Sequence, residues 1–169
     1  MAAIISGKFK GRKFKSGKDP ALRPTQGRVK KSMMQIMEPF TGLKVLDLFA
    51  GLGTLGIEAL SSGAESVTFV EFKLSSIKYL KKNILDICAG ENVVLENGNV
   101  FTFLNNTDDK FDIVLADPPY KGVDVQKLMM MIPEVLIENG RYAVEMKKMP
   151  ILLKNVRVKT YGSTQVVFG

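Results

Sequence analysis

Residues 44–60 read KVLDLFAGLGTLGIEAL. Lys44–Phe49 is a compact apolar run interrupted by Asp47 and predicts a buried strand, and Ile57–Leu60 predicts the helix that follows. Gly51–Gly56 lies between them and matches Gly-x-Gly-x-x-Gly, a pattern whose glycines allow a tight turn and let a ligand approach the backbone closely. The segment therefore predicts a strand, a binding loop and a helix, the unit from which parallel α/β sheets are built.

The rest of the chain alternates in the same way. Six further strands are predicted, at Ser66–Glu71, Asn92–Glu96, Phe111–Leu115, Arg141–Met146, Val156–Tyr161 and Gln165–Phe168. Four further helices are predicted, at Arg28–Met37, Ser75–Cys88, Val100–Leu104 and Val125–Ile137. This order predicts an α/β fold with a seven-stranded, mostly parallel sheet, helices on both faces and an antiparallel C-terminal hairpin at one edge. We expect a single domain over residues 1–169.

Composition excludes several classes of function. The chain has 169 residues, no histidine and one cysteine, Cys88. A His-based catalytic triad is therefore excluded, and we predict no metal site because the usual zinc ligands are missing. No apolar run approaches the ~20 residues that span a membrane. Lysines follow the first apolar residues instead of preceding them, which is the reverse of a secretory signal. The single cysteine fits a reducing compartment, so we expect a cytoplasmic protein, with a monomer as the default.

The positive charge is concentrated at the beginning of the chain. The net charge is +7, but residues 1–31 alone carry ten Lys or Arg and one Asp, and the remaining residues 32–169 are close to neutral. Ile4, Phe9 and Phe14 are interspersed with these cations and with glycines. This mixture predicts a small basic β-hairpin that contacts a nucleic acid, placed before an α/β core at 32–169.

The glycine loop leaves two classes of cofactor open. Glu71 follows Gly51 by 20 residues and ends the next predicted strand, where a carboxylate binds ribose hydroxyls, so a nicotinamide dinucleotide is one candidate. Asp47 argues against it, because a buried carboxylate beside the loop would repel a pyrophosphate. S-adenosylmethionine is cationic and has no phosphate, and it suits the loop better. Asn99 would either bind an adenine amine or cap the helix that begins at Val100.

Asp117-Pro118-Pro119-Tyr120 follows the strand Phe111–Leu115. Consecutive prolines end a strand and stiffen the chain, because each fixes φ and lacks a backbone donor. They leave a carboxylate, the Pro118 carbonyl and an aromatic ring at the carboxyl end of the strand, where open α/β sheets bind ligands. We predict that this segment holds a flat base by its face and accepts hydrogen bonds from an exocyclic amine.

Taken together, these segments resemble the Rossmann-like class I S-adenosylmethionine-dependent methyltransferases. The narrower resemblance is to the bacterial family that methylates the N2 amine of one guanine in 16S rRNA of the small ribosomal subunit. It extends over nearly the whole chain and is carried by ISGKFKGR at 5–12, RPTQGRV at 23–29, LDLFAG at 46–51, LGIEAL at 55–60, ADPPY at 116–120 and YG at 161–162. The two N-terminal segments favour the rRNA family, since the glycine loop and the Asp-Pro-Pro-Tyr segment specify only methylation of an amine.

The resemblance implies a set of site residues. The cofactor is implied to lie against Asp47, Phe49, Ala50, Gly51, Gly53, Glu71, Phe72, Asn99 and Val100. Asp117, Pro118 and Tyr120 are implied to form the amine site, and Lys10, Arg12, Arg23, Thr25 and Arg28 to contact the RNA. Leu52 stands where relatives carry a small residue, and we expect it to tilt outward from the loop. A DNA or RNA adenine-N6 methyltransferase and a non-catalytic RNA-binding module remain alternative readings.

Overall fold

The computed structural model describes residues 2–16 and 27–169. Its centre is one seven-stranded sheet in the order β3-β2-β1-β4-β5-β7-β6. The strands are β1 (Lys44–Leu48), β2 (Ser66–Glu71), β3 (Val93–Asn97), β4 (Phe111–Ala116), β5 (Leu136–Lys147), β6 (Arg157–Tyr161) and β7 (Thr164–Phe168). The first five are parallel to one another, and β7 is antiparallel to both β5 and β6. The predicted mostly parallel sheet with an antiparallel hairpin at one edge is confirmed.

Five helices cover the two faces of the sheet. They are α1 (Gly27–Met37), α2 (Thr54–Ser61), α3 (Leu74–Ile87), α4 (Val100–Asn106) and α5 (Val125–Met131). Because successive strand residues point to opposite faces, Val45 packs in a core with α1, α2 and α3, and Leu46 packs in a second core with α4 and α5. The central strands β1 and β4 are thus buried on both sides, whereas the edge strand β3 has no buried residue, and the carboxyl ends of the parallel strands open at one shared edge of the sheet.

Residues 2–16 form an arm that folds back on itself and docks on α2 and α3. One antiparallel bridge joins Ala3 to Lys13, so the predicted hairpin exists but is less regular than two full strands. Ile4 and Phe14 are buried in the core. At Gly7, φ is +76°, and a Cβ would lie 1.9 Å from the Ser61 carbonyl oxygen. Only glycine therefore fits where the arm contacts the end of α2.

Two predicted elements differ from the structure around Pro133. The predicted helix Val125–Ile137 is wrong in its second half, since α5 ends at Met131 and a short 3-10 helix follows over Ile132–Val135. Proline lacks the N–H that an α-helix needs at that position, which favours the tighter turn. The next strand, predicted at Arg141–Met146, begins earlier and runs from Leu136 to Lys147. Among the described residues, no helix is both long and apolar enough to cross a membrane.

Candidate active site at the carboxyl edge of the sheet

Four carboxylates come together where the central parallel strands end. Asp47 lies in β1, Glu71 ends β2, Asp117 directly follows β4, and Glu145 lies two residues before the end of β5. The negative charges of Asp117 and Glu71 both act on Asp47, and that of Asp117 acts on Glu145. Since like charges in a poorly solvated edge repel one another, this arrangement favours a cationic or hydrogen-bond-donating ligand.

Asp47 is almost completely buried and has a defined partner. Its side chain is 1% exposed, and its Oδ2 accepts a hydrogen bond of 2.8 Å from the Gly56 N–H in the first turn of α2. Gly53 occupies the N-cap position of that helix and has no side chain to offer, so Asp47 supplies the missing cap. The pKa of Asp47 is raised to about 8, mainly by burial; the hydrogen bond from Gly56 opposes this increase, and the charges of Asp117 and Glu71 add to it.

The glycines of the loop serve different purposes. A Cβ at Gly51 would meet only the Phe49 carbonyl oxygen, at 3.9 Å, so this side of the loop faces open space. A Cβ at Gly53 would lie 2.5 Å from Leu80 Cδ1, which means that Gly53 is required by packing against α3. The expected outward tilt of Leu52 is wrong: it is 4% exposed. Buried there, Leu52 leaves the open side of the loop unobstructed.

Glu71 is held beside this loop by two backbone donors. Its Oε2 accepts from the Gly51 N–H at 2.8 Å, and its Oε1 accepts from the Lys73 N–H at 2.7 Å. Each carboxylate oxygen keeps a further lone pair for a hydroxyl group. The neighbouring Phe72 is 72% exposed, an unusual state for a large apolar ring and one that a stacked ligand would explain.

Four further predicted cofactor residues lie in or before the glycine loop and at the start of α4. Phe49 is half-buried and adopts a positive φ of 58°, and the buried Ala50 donates its N–H to the Val70 carbonyl at 3.1 Å. Asn99 is the N-cap of α4, with its Oδ1 accepting from the N–H groups of Phe101 and Thr102. Asn99 was expected either to bind an adenine amine or to cap a helix, and in the structure it caps α4. Val100, the first residue of α4, is buried.

The Asp117–Tyr120 segment is fixed by its aromatic end. Tyr120 is 53% exposed, yet its hydroxyl lies 2.8 Å from Thr164 Oγ1 at the start of β7 and 3.4 Å from Glu145 Oε1. Pro118 is buried and Asp117 is half-buried. The ring thus presents an accessible surface while its hydroxyl is anchored, which is the geometry that a stacking platform needs.

Glu145 is the site residue that sequence reasoning missed. It is 3% exposed, and within the described part of the chain its Oε2 has no hydrogen-bond partner. Burial raises its pKa to about 8, and the charge of Asp117 acts in the same direction, against the Tyr120 hydrogen bond. The signal was present, because Glu145 is an acid near the carboxyl end of an apolar strand, as Asp47 is.

The predicted RNA contacts are not gathered at this edge. Arg12 donates to the Ile87 carbonyl at the end of α3, and Lys8 pairs with Glu91 at 2.8 Å. The arm docks on α2 and α3, and both helices begin near the carboxyl edge. Their ends, and the tip of the arm with Lys10, therefore lie toward the opposite edge. Arg28 is exposed in the first turn of α1. Arg23 and Thr25 lie outside the described residues.

Comparison with known proteins identifies relatives over the whole chain. The family model described as Conserved hypothetical protein 95 matches residues 2–169. Ribosomal RNA small subunit methyltransferase D of Escherichia coli (strain K12) is 37% identical over 143 residues, which cover 84% of this chain and 70% of that protein. A second set of similarities comes from solved structures.

Two of these structures place the fold. One from Escherichia coli is 30% identical, has a TM-score of 0.86 and covers 99% of this chain and 96% of its own. Precorrin-6y C5,15-methyltransferase from Geobacter metallireducens GS-15 has a TM-score of 0.74 at 15% identity, with 92% of each chain covered. This likeness confirms the predicted class I methyltransferase fold.

Proposed function

The chain belongs to the Conserved hypothetical protein 95 family, together with the ribosomal RNA small subunit methyltransferase D proteins, and we propose that it methylates the exocyclic N2 amine of a guanine in 16S rRNA. The proposed methyl donor is S-adenosylmethionine. The proposed substrate is 16S rRNA, either free or within the small ribosomal subunit, and the cytoplasm is the compartment in which such a substrate occurs.

The observation that supports this function best is the position of Asp117 between two ligand surfaces. On one side are the glycine loop, Asp47 and Glu71, and on the other is the exposed ring of Tyr120, anchored at 2.8 Å to Thr164. A residue that aligns the acceptor base with the methyl donor must lie between the two binding surfaces, and Asp117 has this position. Asp117 is only half-buried, so it can reach an entering base.

The residues of the cofactor side fit S-adenosylmethionine in shape and charge. A Cβ at Gly51 would project into open space, which provides the cradle, and Glu71 is fixed at 2.8 Å from the Gly51 N–H with lone pairs left for ribose hydroxyls. Asp47 supplies a carboxylate for the cationic methionine end, and Phe72 supplies an exposed ring for the adenine. When bound, S-adenosylmethionine supplies an activated methyl group.

Asp117 and Pro118 carry the proposed chemistry at the acceptor. The guanine N2 lone pair is delocalised into the ring, so the amine is a poor nucleophile. Hydrogen bonds from its two N–H groups to the Asp117 carboxylate and the Pro118 carbonyl would turn the nitrogen toward tetrahedral geometry and localise that lone pair. Alignment of this kind contributes ~7–11 kcal/mol in well-oriented systems, and neither a metal nor a protein nucleophile is required.

Tyr120 is proposed to hold the extruded base by stacking, a contact worth ~1–3 kcal/mol. The proton released after transfer can pass to Asp117 or to solvent. Asp117 is therefore primarily a hydrogen-bond acceptor. Glu145 helps to hold Tyr120 in place, because the Tyr120 hydroxyl donates to its carboxyl group at 3.4 Å.

In the test, the purified protein is incubated with radiolabelled S-adenosylmethionine and one of three substrates: hypomethylated small ribosomal subunits, naked 16S rRNA or duplex DNA. The products are then digested to nucleosides. Label in N2-methylguanosine from a ribosomal substrate is the expected result. Label in N6-methyladenine would replace the proposal by an adenine methyltransferase. Cofactor binding without any label would favour a non-catalytic RNA-binding module.

A further inference from the structure

We propose that the loop between β5 and β6 forms a second RNA-binding surface, which holds the nucleotides next to the target base; this inference rests on the function proposed above. The surface is formed by Lys147 at the end of β5, by Lys148, Met149 and Leu152 of the loop, and by Lys121, which follows Tyr120; it is called the β5–β6 surface below. It lies beside Tyr120, at the edge of the sheet where the reaction would occur.

The lysines of the β5–β6 surface are available to an external anion. Lys121, Lys147 and Lys148 are exposed, and their ammonium groups make no hydrogen bond or ion pair with any other residue that the structure describes. The cations of the arm are engaged in part, because Lys8 and Lys15 are paired with Glu91 and Asp86 and Arg12 donates at the end of α3, whereas Lys10 and Lys13 are exposed. Free positive charge is thus found at the reactive edge, where phosphates must lie.

The backbone of this loop is held in place. The Lys148 N–H donates to the Ser163 carbonyl at 2.9 Å, Gln165 donates to the Met149 carbonyl at 2.8 Å, and Gln126 donates to the Pro150 carbonyl at 3.1 Å. Gln165 is 3% exposed, so the second bond is shielded from water. A rigid loop reduces the ordering cost of binding.

Apolar side chains accompany these charges. Leu152 is 81% exposed and Met149 is 39% exposed, and Met149 lines the same cavity as the half-exposed Tyr120. A nucleotide has a flat base and a charged phosphate. Exposed apolar groups can contact the base while neighbouring cations contact the phosphate. The composition fits RNA better than a protein partner, whose interfaces are depleted in lysine.

A cavity of about 170 Å³ opens within the β5–β6 surface, behind the two prolines. Pro118 and Tyr120 of the proposed base site line one side of it, and its other lining residues include Val123, Met146, Lys147 and Met149. Pockets for drug-sized ligands occupy ~300–1,000 Å³, so this one suits a single planar group instead of a whole cofactor. Asp124 also lines it, but the Asp124 side chain caps α5 by accepting from the Lys127 N–H at 3.0 Å. We assign the cavity to one nucleobase adjacent to the target.

The experiment measures the affinity for 16S rRNA from undermodified ribosomes as a function of salt. Lys147→Gln combined with Lys148→Gln should weaken binding about tenfold and reduce the slope of log affinity against log salt by ~1.4, the effect of losing two phosphate contacts on single-stranded RNA. Lys81→Gln with Lys82→Gln is the matched control, since it changes two exposed lysines of α3 and the same net charge.

A third variant addresses the cavity itself. Val123→Phe would fill it and should raise the KM for the RNA severalfold while leaving the salt slope, the cofactor affinity and the melting temperature close to those of the wild type. If the Lys147/Lys148 variant behaves like the control pair, the β5–β6 surface is not an RNA contact and the inference is wrong. A wild-type protein that binds 16S rRNA through these lysines without methylating it would contradict the proposed function alone.

Discussion

The hydroxyl of Tyr120 lies 2.8 Å from Thr164 Oγ1, which ties the segment after β4 to the antiparallel strand β7. The residues are 44 positions apart and lie on different elements, so the added hairpin helps to build the base-binding edge. A ring whose hydroxyl is anchored in this way has few orientations available. Most of the conformational entropy of the ring is therefore lost before the base binds, which lowers the entropic cost of binding.

This contact separates the two roles of Tyr120. Tyr120→Phe keeps the ring and should retain most methyl transfer, with about 1 kcal/mol of stability lost because Thr164 loses a partner. Tyr120→Ala removes the stacking surface and should lower kcat/KM by a factor that corresponds to ~1–3 kcal/mol. Steady-state kinetics and chemical denaturation of both variants test this. Equal activities would exclude stacking as the role of the ring.

Gly51→Ala and Gly53→Ala should fail in different ways. Both positions have positive φ, so both substitutions introduce backbone strain. The added methyl group at 53 would also meet Leu80 at 2.5 Å, and overpacking of this kind costs ~1–3 kcal/mol in stability. At 51 the methyl group enters open space, where the cofactor is proposed to lie. Denaturation should therefore show the larger loss for Gly53→Ala, and calorimetry with S-adenosylmethionine should show the more specific loss of affinity for Gly51→Ala.

Binding of the cationic cofactor should release protons near neutral pH. Burial raises the pKa of Asp47 to about 8, so this carboxyl is largely protonated in the free protein at pH 7. A nearby positive charge favours the carboxylate and expels the proton. Calorimetry in two buffers of different ionisation enthalpy should detect this release. Asp47→Asn should abolish it, and an unchanged proton count in that variant would rule out Asp47 as the source.

Protein stability should fall as the pH rises from about 5 to about 8. The pKa of Glu145 is raised from 4.5 to about 8, so in this window the folded state holds a proton that the unfolded state has lost. By linkage, the stabilisation is complete below the unfolded pKa and is lost as pH passes through the folded one. Glu145→Gln should remove the Glu145 part of the pH dependence of the free energy of unfolding and leave the part due to Asp47, whose pKa is also raised to about 8. Glu96→Gln, at an exposed acid on the edge strand β3, is the control and should leave the curve unchanged.

The strands and helices could be predicted from the sequence because the spacing of apolar residues within each segment indicates which side chains are buried. Asp47, Glu71 and Asp117 could be found because acids stand out at the ends of apolar strands. Glu145 carried the same signal, but its importance depends on Tyr120 and Asp117, which reach it only through the pairing of β4, β5 and β7. The pattern could not show that pairing.

The roles of the basic residues in the arm and in α1 were the least predictable part. A high density of lysine and arginine indicates a polyanion partner, but sequence does not reveal which charges are used internally. Lys30 is 2% exposed, and its Nζ lies 2.9 Å from Glu58 Oε1, so this cation stabilises the packing of α1 on α2. Asn83 similarly donates to the carbonyls of Lys15 and Leu52, which links the arm to the glycine loop. Such long-range contacts have no local signature.

The most direct test of the account is the behaviour of Asp117→Ala, measured both as turnover with hypomethylated ribosomal substrate and as the dissociation constant for S-adenosylmethionine. Asp117 is proposed to act on the guanine amine. Turnover should therefore fall by at least a hundredfold, about 2.7 kcal/mol of transition-state stabilisation, while cofactor affinity stays within a few-fold of the wild type. Equal losses of turnover and cofactor affinity, or N2-methylguanosine formed at the wild-type rate, would contradict the assignment.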